Sequence, residues 1–134
     1  MTNRAEIEEL ISRYSLAFDT GDLEGIAATL TADAVFLMRL PDSEPLTFDG
    51  REAIMKLMTD TAASQTDQRR HVNTNLLIEE AGDGIVRTLH YLTLVASENG
   101  ETRVLSAGVY RLEIVEDAGV QRMQRLDLQL DSPF

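Results

Sequence analysis

The hydrophobic pattern of the chain changes near its middle. Up to about residue 67 apolar residues recur at helical spacing, whereas beyond it they form long strand-like runs separated by short breaks that contain glycine. In the segment 5–18 the apolar residues form one stripe at about 100° per residue, and Tyr14 lies near its middle. We therefore expect a first helix in which Tyr14 points inward.

Signals for the end of this helix follow at once. Gly21 suits a left-handed C-cap, and Asp22 suits the N-cap of a short second helix that runs to about Leu30. The two helices thus meet beside Asp19. Three further elements are predicted before the pattern changes: a strand at 34–38, a loop with two prolines at 40–45 and a third helix at about 51–64.

The second half reads as a meander of four strands. The strand-like segments are 71–80, 85–97, 102–115 and 120–130. Each break between them is short enough for a hairpin, and Asn99-Gly100 is the strongest turn signal because a type I′ turn needs positive φ at both central residues. Helices followed by a curled antiparallel sheet form an α+β layout, and 134 residues predict one domain over residues 1–134.

Turn lengths predict which residues face each other across the sheet. We take Asn99-Gly100 as a two-residue turn and 82–84 as a three-residue turn. The predicted pairs are Tyr91 with Gly108, Leu89 with Tyr110 and His71 with Val95. This register collects polar and aromatic groups on one face, namely His71, Asn73, Tyr91, Thr93, Ser106 and Tyr110. Such a mixed face is typical of a small-molecule pocket, although a slip of one residue would exchange the faces.

Asp19 and His71 are the candidate catalytic pair. Histidine accepts a proton near neutral pH, and a carboxylate on its other ring nitrogen fixes the tautomer and stabilises the imidazolium. Tyr14 adds a phenol that can donate to a carbonyl or leaving oxygen. The alternatives are a solvated Asp19 at the helix end, a His71 whose hydrogen bonds are satisfied within the sheet, and a Tyr14 that only fills the core.

Metal and cofactor chemistry finds little support in the sequence. The chain has no cysteine, no phosphate-binding glycine loop and no nucleophile elbow. His71 and His90 are predicted either on opposite faces or about 13 Å apart, at ~3.3 Å per strand residue, too far to share an ion. We therefore expect no metal and no cofactor. Met38 and Met58 are candidates to line a pocket for an oily substrate, with core filling as the alternative.

Charge narrows the choice of partner. Twelve basic and 23 acidic residues give a net charge of −11, which repels nucleic acid and anionic membranes. No apolar run approaches the ~18 residues that a membrane span needs. We expect a soluble, cytoplasmic protein whose partner is a small hydrophobic molecule, with Asn73, Tyr91, Tyr110, Met38 and Met58 as substrate contacts.

Several stretches together resemble the SnoaL-like family of the nuclear-transport-factor-type superfamily. They are residues 11–22, with Tyr14 and Asp19-Thr20-Gly21-Asp22, then 30–36, 48–54, 70–75 and 108–110. The resemblance implies a cone in which N-terminal helices pack on a strongly curved, mainly antiparallel mixed sheet. It also implies a homodimer, which the apolar residues on the opposite sheet face favour as well. One departure is that 116–121 lacks the Asp-Gly-Trp pattern of many relatives.

The resemblance extends to function. Relatives include scytalone dehydratase, a bile-acid dehydratase and a dehydrochlorinase, in which an aspartate and a histidine placed like Asp19 and His71 act as the base. Tyr14 falls where the dehydratases carry a pocket tyrosine. We therefore expect a cofactor-free lyase or isomerase acting on a small hydrophobic cyclic substrate. Non-catalytic relatives keep a second interpretation open, a ligand-binding protein or accessory subunit.

Overall fold

The structure is a computed structural model that describes residues 3–133, except for the side chain of residue 80. Three helices and six strands follow one another in an order that places the helices mainly in the first half. They are α1 (Arg4–Thr20), α2 (Leu23–Ala28), β1 (Leu30–Arg39), β2 (Leu46–Asp49), α3 (Arg51–Ser64), β3 (Gln68–Gly82), β4 (Ile85–Glu98), β5 (Glu101–Asp117) and β6 (Val120–Leu130).

Side-chain and glycine caps set the ends of α1 and α2. The carboxamide oxygen of Asn3 accepts hydrogen bonds from the backbone N–H groups of Ala5 and Glu6 at the start of α1. Gly21 ends α1 with a φ of 71°, and Asp22 caps α2 by accepting from the N–H of Gly25. The predicted helix boundary at Gly21 and Asp22 is confirmed, and it fixes the direction in which the end of α1 meets β3.

The six strands form one open, curved, mixed sheet in the order β2-β1-β6-β5-β4-β3. The predicted meander of β3 to β6 is confirmed, since each strand pairs antiparallel with the next. The sequence did not predict β2, or the parallel pairing of β1 with β6. The helices cover the inner face of this sheet, so the cone-shaped α+β architecture is confirmed.

All three hairpins of the meander close through two-residue turns. The turn residues have positive φ in each case: 55° and 74° at Asp83-Gly84, 54° and 79° at Asn99-Gly100, and 52° and 81° at Ala118-Gly119. The predicted three-residue turn at 82–84 is wrong, because Gly82 pairs with Ile85. With two extra residues bulged in β3, His71 lies opposite Leu94 instead of Val95.

The register of β4 against β5 also differs from the prediction, because β5 contains a bulge. Val95 pairs with Val104 but Leu94 pairs with Ser106, so one extra residue shifts every pair beyond this point. Leu92 therefore lies opposite Gly108, Tyr91 opposite Val109 and His90 opposite Tyr110. This shift of one residue reverses the predicted orientation of the side chains of β4. His90 now points inward, whereas Tyr91, predicted as a substrate contact, lies on the outer face and is 49% exposed.

The core lies between the inner face of the sheet and the apolar stripe of α1. Tyr14 is 4% exposed within it, as the helical periodicity predicts. Met38 packs against this core from β1. Gly108 permits the close approach of β5 and β6, because a Cβ at this residue would collide with the backbone oxygen of Gln129. Within residues 3–133, no helix combines the length and apolar character needed to cross a membrane.

Candidate functional site

The end of α1 and the start of β3 bring Asp19 and His71 into direct contact. A carboxylate oxygen of Asp19 lies 2.6 Å from Nδ1 of His71, and the backbone N–H of His71 donates to the other oxygen at 3.0 Å. The side chains of Asp19 and His71 are 7% and 5% exposed. Asp19 is therefore paired and buried, although it sits in the last turn of a helix, where a carboxylate faces the negative helix end.

The carboxylate decides the tautomer of His71. An ionised carboxylate only accepts hydrogen bonds, so Nδ1 of His71 donates and Nε2 carries the lone pair of the neutral ring. The ring of Phe18 contacts the imidazole edge-on, with ring centroids 4.5 Å apart. Gln68 adds a further tie by donating from Nε2 to the backbone oxygen of Asp19. This geometry is suited to proton abstraction by Nε2.

A cavity of about 100 Å³ lies beside the pair, where α1, α2 and α3 meet. Asp19, Phe18 and Met58 contribute to its wall, whereas His71 does not. The volume is below the ~300 Å³ at the lower end of common small-molecule sites. A ring-shaped ligand would therefore have to displace neighbouring side chains before it met the imidazole.

Tyr14 lies deeper in the cone, against Tyr110 of β5. Burial raises the pKa of Tyr14 well above its ordinary value, and Tyr110 adds to the rise through its charge and a side-chain hydrogen bond. Burial raises the pKa of Tyr110 to about 12. Both phenols therefore stay protonated near neutral pH and serve as neutral hydrogen-bonding groups. Tyr14, Asn73 and Tyr110, all predicted as site residues, lie around the same interior space.

A second imidazole, His90, joins these residues, and the sequence did not identify it. Nε2 of His90 lies 3.1 Å from the carboxamide oxygen of Asn73, whose Nδ2 donates to Oγ of Ser15 at 2.7 Å. The rings of His90 and Tyr110 stack with centroids 5.2 Å apart. We call Tyr14, Ser15, Asn73, His90 and Tyr110 the His90 cluster. The sequence contained a signal for Ser15, which follows Ile11 by four residues and so lies on the buried stripe of α1. The inward orientation of His90 depends on the bulge in β5, which the sequence did not predict.

The hydrogen bond to Asn73 fixes the state of His90. Because the amide oxygen accepts, Nε2 carries the hydrogen and Nδ1 is a bare acceptor. This Nδ1 is buried and has no hydrogen-bond partner within the described part of the chain. Burial lowers the pKa of His90 to about 4, so the ring is neutral at pH 7.

Two spaces adjoin the His90 cluster. One is an interior void of about 10 Å³ that all five of its residues line. The other is a surface groove of about 350 Å³ between α1 and β3, and Asn73 and His90 form part of its wall. The same two side chains therefore border both spaces.

Of the three remaining predicted site residues, only one lines a space described above. Met58 is 3% exposed and lines the cavity beside Asp19. Met38 packs against the core without lining the cavity, the void or the groove, and Tyr91 lies on the outer face. Among residues 3–133, no three histidine, aspartate or glutamate side chains gather in a way that would hold a metal ion.

The helices, the curved mixed sheet and the buried polar interior define a cone-shaped α+β protein. A family model described as a SnoaL-like domain matches residues 1–127, and the chain belongs to this family. No curated protein matches the chain significantly.

Solved structures extend the comparison. A Catenulispora acidiphila protein in complex with S-DNPA is 29% identical, with a TM-score of 0.83, over 96% of this chain and 92% of that chain. Aln2 from a Streptomyces species is 28% identical, with a TM-score of 0.81, over 96% and 90%. An NTF2-like protein with a cystatin-like fold from Novosphingobium aromaticivorans is 21% identical, with a TM-score of 0.80, over 96% and 81%.

Proposed function

We propose that the protein is a cofactor-free lyase or isomerase that removes an acidic C–H proton from a small hydrophobic cyclic substrate. Nε2 of His71 acts as the base, and Asp19 holds the ring and stabilises the imidazolium that results. Loss of water, loss of halide and a double-bond shift all begin with this proton transfer. The observation that supports this proposal most directly is the 2.6 Å contact between Nδ1 of His71 and the carboxylate of Asp19.

The surroundings of the pair support this role. Its side chains are almost wholly shielded from water, which strengthens the attraction between a carboxylate and a newly formed imidazolium. Phe18 and Met58 give the adjoining cavity apolar walls. The complex of the Catenulispora acidiphila relative with S-DNPA is consistent with a small-molecule ligand for this fold. In this mechanism Tyr14 remains neutral and polarises the departing group or a carbonyl of the substrate, and Tyr110 is a substrate contact.

Deuterium exchange tests the proton transfer before the natural substrate is known. A panel of cyclic ketones, hydroxylated and halogenated, is incubated with the protein in D₂O, and mass spectrometry measures uptake at the acidic carbon. We expect His71→Ala and Asp19→Asn to lower the exchange rate by at least about 100-fold. Asp60→Ala, which removes an exposed partner of Lys56, is the control and should keep the wild-type rate. Unchanged exchange in both site variants would contradict the mechanism.

Non-catalytic binding is the second candidate, and one observation favours it. His71 does not line the cavity that Asp19 and Met58 border. A pure binding protein would retain ligands from the same panel without exchange. In that case Asp19→Asn would alter stability but leave ligand affinity within about twofold of wild type.

We also propose that the outer face of the sheet forms a homodimer. Tyr91 and Val72 expose 49% and 43% of their surface there, next to the partly buried Thr93 and Val109. Apolar residues on adjacent strands form a continuous surface suited to a second copy. Light scattering of wild type and Tyr91→Lys tests this proposal. We expect a dimer mass for the first and a monomer mass for the second, and a wild-type monomer at micromolar concentration would contradict it.

A further inference from the structure

His90 presents a buried acceptor that lacks a donor. The residue is 3% exposed, and its Nδ1 has no hydrogen-bond partner within the part of the chain that the structure describes. Its Nε2 is committed to Asn73, which is itself held by Ser15. A buried polar atom left unpaired is costly, and such atoms are uncommon in folded proteins. This acceptor therefore indicates a place for a donor that comes from outside the chain.

The surface groove beside the cluster has the size of a ligand site. Its volume of about 350 Å³ falls within the ~300–1,000 Å³ range of small-molecule pockets. β3 bulges between Thr74 and Leu77, with Asn75 at a φ of 60°, and residues 73–76 form the β3 wall of the groove. Arg4 bridges the rim by donating to the backbone oxygen of Leu76.

The interior void beyond the groove is about 10 Å³, close to the space that one water oxygen needs. Asn73 and His90 border both the void and the groove. A ligand with its ring in the groove and a single oxygen atom in the void would contact Asn73 and His90 with both parts. The five side chains of the His90 cluster then surround that oxygen with hydrogen-bonding groups.

Charge restricts the ligand to an uncharged molecule. The two tyrosines, the serine and the asparagine are neutral, and His90 is neutral as well. At the rim, the charge of Arg4 is balanced by Glu8 at 2.9 Å. A carboxylate or phosphate would therefore enter the void without a counter-cation, at a high desolvation cost. A bare imidazole nitrogen requires a hydrogen-bond donor, which excludes ethers and simple ketones as good ligands.

We propose that this groove binds an uncharged cyclic alcohol or phenol, whose hydroxyl donates to Nδ1 of His90 while its ring lies between α1 and β3. The site differs from the cavity beside Asp19 and Met58. If this ligand is the substrate of the proposed reaction, the substrate class is hydroxylated rings. Only that identification rests on the proposed function. Binding requires His90 and the groove but not His71, and Tyr14 is a residue that both proposals use.

The two histidines of the chain make the proposal directly measurable. Protein labelled with ¹⁵N in histidine is titrated with 2-naphthol, and with 2-methoxynaphthalene as a probe of similar shape that lacks the donor. We expect 2-naphthol to shift the Nδ1 resonance of His90 and leave the His71 nitrogens in place. The ether should bind at least about tenfold more weakly, which corresponds to the loss of one hydrogen bond. In His90→Gln the preference for the alcohol should disappear.

Two variants on α1 provide the matched comparison. Ser12 lines the groove, whereas the neighbouring Arg13, which is also exposed, lies on another side of the same helix. Ser12→Phe should weaken 2-naphthol binding at least tenfold, and Arg13→Phe should leave it within twofold. Equal affinities for the two probes, shifts at His71 alone, equal effects of the two variants, or no binding at millimolar probe would each overturn the proposal. None of these results bears on deuterium exchange at His71, so the two proposals fail separately.

Discussion

The two imidazoles of the chain lie on neighbouring strands of one sheet face, yet they have opposite surroundings. His71 is held through Nδ1 by the carboxylate of Asp19, which also accepts the backbone N–H of the same histidine. His90 is held through Nε2 by the amide of Asn73, and its other nitrogen has no partner among the described residues. Both histidines are tied to α1, one through its last turn and the other through Ser15.

The difference shows that the hydrogen-bond partner of a buried histidine determines whether the ring is suited to act as a base or as a neutral acceptor. A carboxylate on Nδ1 leaves the lone pair of the neutral His71 ring on Nε2, so the Asp19–His71 pair presents a proton acceptor. An amide provides no opposing charge, and burial then lowers the pKa of His90 to about 4. The first imidazole is therefore suited to a base, and the second to a permanent neutral acceptor.

Removal of the carboxylate should have the largest effect on stability. Asp19→Ala leaves the N–H and Nδ1 of His71 unpartnered in a site whose side chains are 5% and 7% exposed. We expect the free energy of unfolding to fall by about 3–6 kcal/mol, because two buried donors each lose a hydrogen bond to a charged acceptor, worth about 1.5–3 kcal/mol. Urea denaturation followed by circular dichroism measures this change. Asp60→Ala, at an exposed pair, should leave the midpoint almost unchanged, and equal losses in both variants would contradict the buried pairing.

The neutral state of His90 should appear in the pH dependence of stability. The unfolded chain protonates His90 near pH 6.5, whereas the folded protein resists protonation down to about pH 4. The unfolded state binds more protons in this window, so the stability present above pH 6.5 is lost as the pH falls towards 4. Between pH 7 and pH 4, wild type should lose about 3 kcal/mol more than His90→Gln. Parallel stability profiles of the two proteins would contradict this account.

The sequence predicted one of these two histidine sites and missed the other, for a physical reason. Asp19 and His71 are brought together by a helix end and a strand start, which caps and periodicity mark clearly. His90 depends on a bulge in β5 that shifts the register by one residue, and nothing in the local pattern marks that bulge. Because side chains alternate along a strand, this single shift exchanged the faces of Tyr91 and His90.

The fold was predictable to a similar extent. Helix boundaries and the meander follow from local signals, Gly21, Asp22 and Asn99-Gly100 being the clearest. The short strand β2 lies immediately after a proline loop and its four residues are too few for a clear alternation. The parallel pairing of β1 with β6 joins segments about 90 residues apart, and no local pattern specifies it. Long-range pairing and bulges thus limited the prediction, whereas composition and periodicity gave the fold class.

A single substitution should make the second imidazole resemble the first. Asn73→Asp places a carboxylate at the atom that now contacts Nε2 of His90. An opposite charge at this distance favours the imidazolium, so the pKa of His90 should rise by at least about one unit from about 4. A ¹⁵N titration of the imidazole measures it. Asn75→Asp, two residues further along β3, is the matched control, and an unchanged pKa in Asn73→Asp would show that burial overrides the partner.

The smallest effect is expected at the serine that anchors Asn73. Ser15→Ala removes the acceptor for Nδ2 of Asn73 and should lower the free energy of unfolding by about 1 kcal/mol. Ser12→Ala, on the exposed side of the same helix, should be neutral or slightly stabilising because alanine favours helices. Both are measured by urea denaturation, and equal effects would contradict a buried anchor.

The Ser15→Ala variant also tests whether the two histidine sites are independent. Ser15 and Asp19 lie one helical turn apart on α1 but contact different side chains on β3. If the Asp19–His71 pair and the His90 cluster are separate networks, the losses in Ser15→Ala and Asp19→Ala should add in the double variant within about 0.5 kcal/mol. A larger deviation would mean that β3 couples the base to the neutral acceptor, so that a ligand bound at His90 would alter the environment of His71.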